Sequence, residues 1–337
     1  LDSARTLGTL IFGDTDTNTA AGWILGNGGT AGNTLNVTNL TVNAIFGENT
    51  VAATNDAIIS AVITGNGFVK NGKGTLTLQA ANTMGSLRID EGLIAVGNAT
   101  ALGSGNKKVT YNGGGIRVAT TGTIANTNEV LTIGHVYAPA ADYDAFNGAW
   151  IGSGTMYIHA TSGRFTPGGG SATAMANFSG TIDLADSLAG LVRLNLGSGT
   201  TYDLSAVTLN MGTNTGRLAP RLTSGAAKTI KIGALSGGSN TQINSSEQGT
   251  TDITWEIGAL NTSTVFNGRY LLYNNDPLRK GGLRKVGTGK LTFTRSGHTY
   301  NGTTTVSQGT LALSNTAAIP SSPLITVAMP RRRAHDP

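Results

Sequence analysis

The chain has no cysteine in its 337 residues, which excludes disulfides and thiolate metal centres and leaves the redox compartment open. Proline is scarce, at 8 residues, and falls mostly in gaps such as Pro139, Pro167 and Pro277, where strand ladders tolerate it. Charged residues make up only 12%, about half the usual share. A disordered chain would carry more charge and fewer β-branched apolar residues. No apolar run approaches the ~20 residues of a membrane helix, so no transmembrane segment is expected. The net charge of +5 is poorly placed for nucleic acid, because Arg331–Arg333 supply three of the positive charges at the extreme end. A small group at Arg279, Lys280, Arg284 and Lys285 is the other concentration, and basic patches interleaved with aromatics are missing. A nucleic-acid partner is not expected.

What fills the chain is glycine, at 49 residues, about twice the usual share, together with Thr, Asn, Ser and Ala. This composition suits many short strands joined by tight polar corners. The stretch Leu283–Asn315 shows the pattern most clearly. Its runs KLTFT, TTTVS and GTLALS are each too short for an ordinary helix. Leu291 and Phe293 lie two apart, as do Leu311 and Leu313, which puts each pair on one face of a strand. Gly297, Asn301–Gly302 and Gln308–Gly309 supply the corners. The same unit occurs over Phe68–Asn98: Lys70 matches Lys285, Gly72 and Gly74 match Gly287 and Gly289, and Gly92 matches Gly309. Such a repeat overrides any segment-by-segment reading.

Elsewhere the same alternation continues in looser form. KIGALSG (231–237) and EIGALNT (256–262) recur at a spacing of 25 residues, which suits one coil of a β-solenoid. NFSGTIDL (177–184) resembles FNGRYLLY (266–273). The expected organisation is one β-helix over 1–330, with a looser aromatic-rich insertion near 135–167 and an unstructured basic tail at 331–337. Leu1 begins inside a strand-like pattern and neither end reads as a cap, so the chain is expected to be part of a longer one. Trp23 and Trp255 sit in strand patterns and are expected in the core.

Leu283, Lys285, Gly287, Gly289, Leu291, Thr299–Tyr300, Gly302, Thr304–Val306 and Gly309–Leu311 closely match the pattern of a known family. The chain resembles the autotransporter-associated β-strand repeat. The earlier copy departs from the pattern at Met84, where Tyr is usual, and in its SLRI strand. The resemblance implies an all-β fold, a right-handed parallel β-helix with three short strands per coil. It also implies a bacterial protein exported through the outer membrane, secreted or held at the cell surface. It implies little about activity.

The chemistry is sparse. Asp14-Thr-Asp16-Thr-Asn18 opens like a calcium loop, but its sixth position is Thr19 rather than Gly and its twelfth is Leu25 rather than Glu. The histidines His135, His159, His298 and His335 have no Ser/Asp partners in a known order and no pair at ligand spacing. No metal and no cofactor are expected, and His298 is expected to be exposed at a corner. Glycoside hydrolysis needs two carboxyls roughly 5–9.5 Å apart, and rungs about 4.8 Å apart can supply them. Asp142, Asp144, Asp183 and Asp186 are the candidates. Tyr137, Tyr143, Trp150 and Tyr157 cluster in a chain only 6% aromatic and are candidates for stacking on sugar rings. The reading is a non-catalytic extracellular scaffold presenting loops for adhesion or contact with a polysaccharide or cell-surface glycan. The alternative is a polysaccharide-degrading enzyme on the same scaffold.

Overall fold

The computed structural model describes residues 1–13, 22–45, 57–120, 123–138, 143–160, 164–168, 173–184, 191–195, 199–221, 225–314 and 325–327. The loop at Asp14 and Asp16, the carboxylates Asp142 and Asp186, and the tail Arg331–Arg333 lie outside these residues. Two compact units divide the chain, one over 1–169 and 173–181 and the other over 170–172 and 182–337. Among the described residues there is no α-helix, and a short 3₁₀ turn at Tyr273–Asn275 is the only helical element.

In the first unit, one face is built from strands that include Gly67–Asn71, Ser86–Ile89, Lys108–Tyr111, Thr127–Val130 and Trp150–Gly152. A second face runs through Thr75–Leu78, Leu93–Val96, Gly115–Val118, Ile133–Ala138 and Thr155–Ala160. Each strand lies parallel to the next, one coil later. Leu76, Ile94, Ile116, Val136 and Ile158 are successive register partners, 18, 22, 20 and 22 residues apart, and all are buried. Period-two alternation sends every second side chain inward, as in Ser86–Ile89, where Leu87 and Ile89 are buried and Ser86 and Arg88 exposed. Each buried aliphatic side chain contributes about 1.5–3 kcal/mol. Between 143 and 167 a third side carries strands of its own, Tyr143–Phe146 paired with Arg164–Pro167. Around the first repeat that side is a corner without a strand.

The second unit is built the same way. Tyr202, Ile230, Trp255, Leu283 and Thr304 are successive partners along its main face. Lys231 pairs with Glu256 and Ile232 with Ile257, so the 25-residue spacing of KIGALSG and EIGALNT is one coil. Ile253–Ile257, Thr264–Phe266 and Arg269–Leu271 give that coil three strands on three sides. Its third side also buries an ion pair, Arg193 Nε and Nη2 donating to Glu247 at 2.6 and 2.9 Å. Repeated parallel pairing of each coil with the next, with an interior filled by stacked apolar side chains, is a parallel β-helix. Trp255 is in its core, as expected, but Trp23 is 45% exposed. The strand after Trp23, Ile24–Leu25, is two residues long and, among the described residues, pairs only with Ala57–Ile59, at the end of its sheet.

Candidate functional site

The two repeats each bury a lysine. Lys70 is 0% exposed and Lys285 1% exposed, and both occupy inward positions on interior ladders, beside Ile89 and Ile257 respectively. Lys70 Nζ donates to the carbonyls of Asn71 (2.9 Å), Gly72 (2.6 Å) and Glu91 (3.2 Å). Lys285 Nζ donates to the equivalent carbonyls of Val286, Gly287 (2.8 Å) and Gln308 (3.3 Å). The third acceptor belongs to the next coil in both cases, so the ammonium ties one turn to the turn above it. Those turns require glycine: φ is +63° at Gly92 and +71° at Gly309. A Cβ at Gly92 would stand 2.4 Å from the Gly72 carbonyl oxygen, and one at Gly309 2.4 Å from that of Gly287. Burial pulls the Lys70 ammonium down to about 8, with the Glu91 carboxylate opposing, so the proton stays on at neutral pH. Burial also lowers Lys285.

The corner of each repeat replaces a strand with a side chain. In the first copy the Ile63 N–H donates to Asn82 Oδ1 (2.8 Å), and the Thr83 N–H returns to the Ile63 carbonyl (3.0 Å). In the second copy the Tyr270 N–H donates to His298 Nδ1 (2.9 Å), and the Thr299 N–H returns to the Tyr270 carbonyl (3.0 Å). His298 is therefore not an exposed corner residue: it is 5% exposed and stacks on Phe293 at 5.0 Å. With Nδ1 accepting, Nε2 carries the hydrogen and donates to the Arg295 carbonyl at 2.9 Å. Burial, aided by the nearby Arg269 charge, lowers its pKa, against the opposing Arg295 bond. These groups hold coils together and leave no reactive atom open to a substrate.

The outward face of Ile133–Ala138 and Thr155–Ala160 is different. Register pairs His135 with Tyr157 and Tyr137 with His159, forming a two-by-two array of alternating imidazole and phenol rings. Tyr137 stacks on His159 at 4.1 Å with 5° between planes, and Tyr157 stacks on His135 at 5.1 Å and 15°. His135 Nδ1 lies 3.0 Å from His159 Nε2. Val136 and Ile158 point the other way, into the core. HVY and YIH have the same parity and lie one coil apart, but the register that joins them is not visible in either segment alone. Spacing along the chain therefore gives no sign that His135 and His159 meet, and sequence reasoning misses the pair.

Of the stacking candidates, Tyr137 and Tyr157 are in this array and are half-buried. Trp150 is not a surface platform: it is 1% exposed and stacks on Tyr111 inside the coils at 6.2 Å. Its inward position follows from its register beside Asn128, itself buried. Tyr143 and Asp144 lie on the strand Tyr143–Phe146, where Tyr143 pairs with Phe165. Asp183 ends the strand Thr181–Asp183 and accepts a hydrogen bond from Asn210 Nδ2 at 3.0 Å. In the second unit a shallow depression of about 390 Å³ is lined by Thr229, Thr254, Glu256, Arg284, Thr305 and Ser307 among others. Glu256 is its one carboxylate, and Arg284 Nη1 holds it at 3.1 Å. That is not the two-carboxylate geometry of glycoside hydrolysis.

The stacked parallel coils, two of whose turns are closed by a buried lysine, define a parallel β-helix. A family model for the passenger-associated-transport repeat matches residues 68–96 and 283–313, the two segments that carry the buried lysines. The chain thus carries two copies of that repeat. No curated protein and no solved structure matches the chain.

Proposed function

We propose that this chain is the non-catalytic scaffold of a bacterial passenger protein, secreted or displayed at the surface, that contacts carbohydrate through its outer tyrosines. The repeats support the scaffold and its export. The array of His135, Tyr137, Tyr157 and His159 supports the contact, because it is an aromatic cluster on an outward face of an otherwise aromatic-poor chain. One face of each tyrosine ring is taken by an imidazole. The array therefore offers ring edges and phenol hydroxyls more than open platforms, which suits hydrogen bonding to sugar hydroxyls along with apolar contact.

The test is a glycan array with the wild-type chain, followed by affinity measurements on Tyr137→Ala and Tyr157→Ala. The expected result is binding to at least one glycan class and a loss of tenfold or more in each variant. No binding, or binding indifferent to both substitutions, overturns the carbohydrate reading and leaves the scaffold. Trp150→Ala is unsuitable for this purpose, since a core ring reports on folding.

A further inference from the structure

We propose that Arg217, Gln242 and Arg269 form a binding row for the carboxylate or sulfate groups of an acidic polysaccharide. The row lies on the third side of the second unit. Arg217 pairs with Gln242 and Gln242 with Arg269, so the three side chains stand on successive coils. Their neighbours Leu218, Ile243 and Tyr270 are buried in the core, and alternation turns the row outward, where all three residues are half-buried. Strands in a sheet lie ~4.8 Å apart, so the two arginines stand roughly 10 Å apart with an uncharged amide between them.

Neither guanidinium has a hydrogen-bond or ion-pair partner among the described residues. Glu247, the carboxylate buried on this side, is taken by Arg193. The Gly297 corner packs over Arg269: a Cβ there would stand 3.7 Å from Arg269 Nε, which is closed to solvent and has no acceptor. The guanidinium is therefore held in place before an anion arrives, and binding has little left to order. Arg295 donates to the carbonyl of Ser239, three residues before Gln242, and brings a third positive charge close to the row. The planar fork of N–H donors on each arginine matches carboxylate and sulfate oxygens two at a time. Between them, Gln242 offers an amide donor and acceptor to the hydroxyls of a neutral sugar. A row that alternates charged and neutral side chains thus suits a polymer that alternates charged and neutral units. A nucleic acid strand, with a charge about every 3.4 Å, would set most of its phosphates against no cation. The row belongs to the other unit from Tyr137 and Tyr157 and stands even if the tyrosine contact fails.

The experiment is calorimetric titration of the full chain, at low and moderate salt, with hyaluronate oligosaccharides, dextran sulfate, neutral dextran and an oligothymidylate strand. The first two separate carboxylate from sulfate recognition. The expected result is binding to at least one acidic polymer, none to neutral dextran, and an affinity that falls as salt rises. Arg217→Gln and Arg269→Gln should each weaken it about tenfold. Arg269→Lys, which keeps the charge without the fork, should lose less. Arg88→Gln, at a guanidinium already paired with Asp90, should leave binding unchanged. No binding to either acidic polymer, binding indifferent to both glutamine substitutions, or oligothymidylate bound more tightly than both polymers overturns the assignment. If a glutamine variant fails to fold, Arg217→Lys and Arg269→Lys decide: weaker binding in either supports the row, and unchanged binding in both overturns it.

Discussion

Replacing the buried lysine of a repeat by methionine keeps most of the aliphatic stem and removes the ammonium. In Lys70→Met the carbonyls of Asn71, Gly72 and Glu91 lose their shared donor. Hydrogen bonds to a charged group contribute about 1.5–3 kcal/mol each, so three amount to roughly 5–9 kcal/mol. Withdrawal of the ammonium from water opposes them. A pKa lowered from 10.5 to about 8 corresponds to roughly 3 kcal/mol. The net loss on substitution is then about 2–5 kcal/mol. At roughly 2–4 °C per kcal/mol for a unit of this size, the melting transition should fall by about 5–20 °C. Thermal and urea unfolding of the full chain, followed by circular dichroism, measures this. Lys285→Met should behave in the same way in the second unit. Lys73→Met, at an exposed neighbour, should move stability by no more than ~0.5 kcal/mol. The refuting result is a Lys70→Met chain as stable as wild type or more so. That outcome would mean that burying the charge costs more than its three acceptors return.

Other expectations rest on separate features. His298 is neutral in the fold with a lowered pKa, so the stability tied to that shift is fully present above its unfolded value near 6.5 and is lost as pH falls below it. His298→Asn, which copies Asn82 of the first repeat, should keep the bond from Tyr270 and flatten this acid dependence between pH 7 and 4 in parallel melts. Gly309→Ala should be far worse than Gly29→Ala. Both glycines have positive φ, +71° and +80°, but a Cβ at Gly309 meets backbone oxygen at 2.4 Å whereas one at Gly29 meets nothing within 4 Å. Gly29→Ala should cost about 1–2 kcal/mol and Gly309→Ala several times that, read by urea titration. Trp150→Phe should cost less than Trp255→Phe by about 1–3 kcal/mol. Trp255 Nε1 donates to the Asn244 carbonyl at 3.0 Å, while the buried Trp150 Nε1 has no partner among the described residues to lose.

The fold is legible from periodicity because a β-helix is nearly one-dimensional: each coil contacts its neighbours, so local alternation and corner glycines carry most of the information. Lys70, Gly72, Gly74 and Gly92 and their counterparts in Leu283–Asn315 are visible as a repeat for this reason. So is the 25-residue coil joining Lys231 to Glu256. Which side a residue faces, and what lies beside it one coil away, is not legible. Trp150 reads as a surface ring and is interior, and His298 reads as an exposed corner and is buried.

The sequence by itself determined the strand type, the glycine turns and the repeated lysine, since these depend on backbone conformation and period-two patterning. Register was left to the tertiary structure, because the spacing between register partners varies from 18 to 34 residues and each change moves every partner. Only the folded chain brings His135 beside His159 and Arg193 onto Glu247, 24 and 54 residues apart. It alone gives the two lysines their purpose, because their third acceptor comes from the coil above.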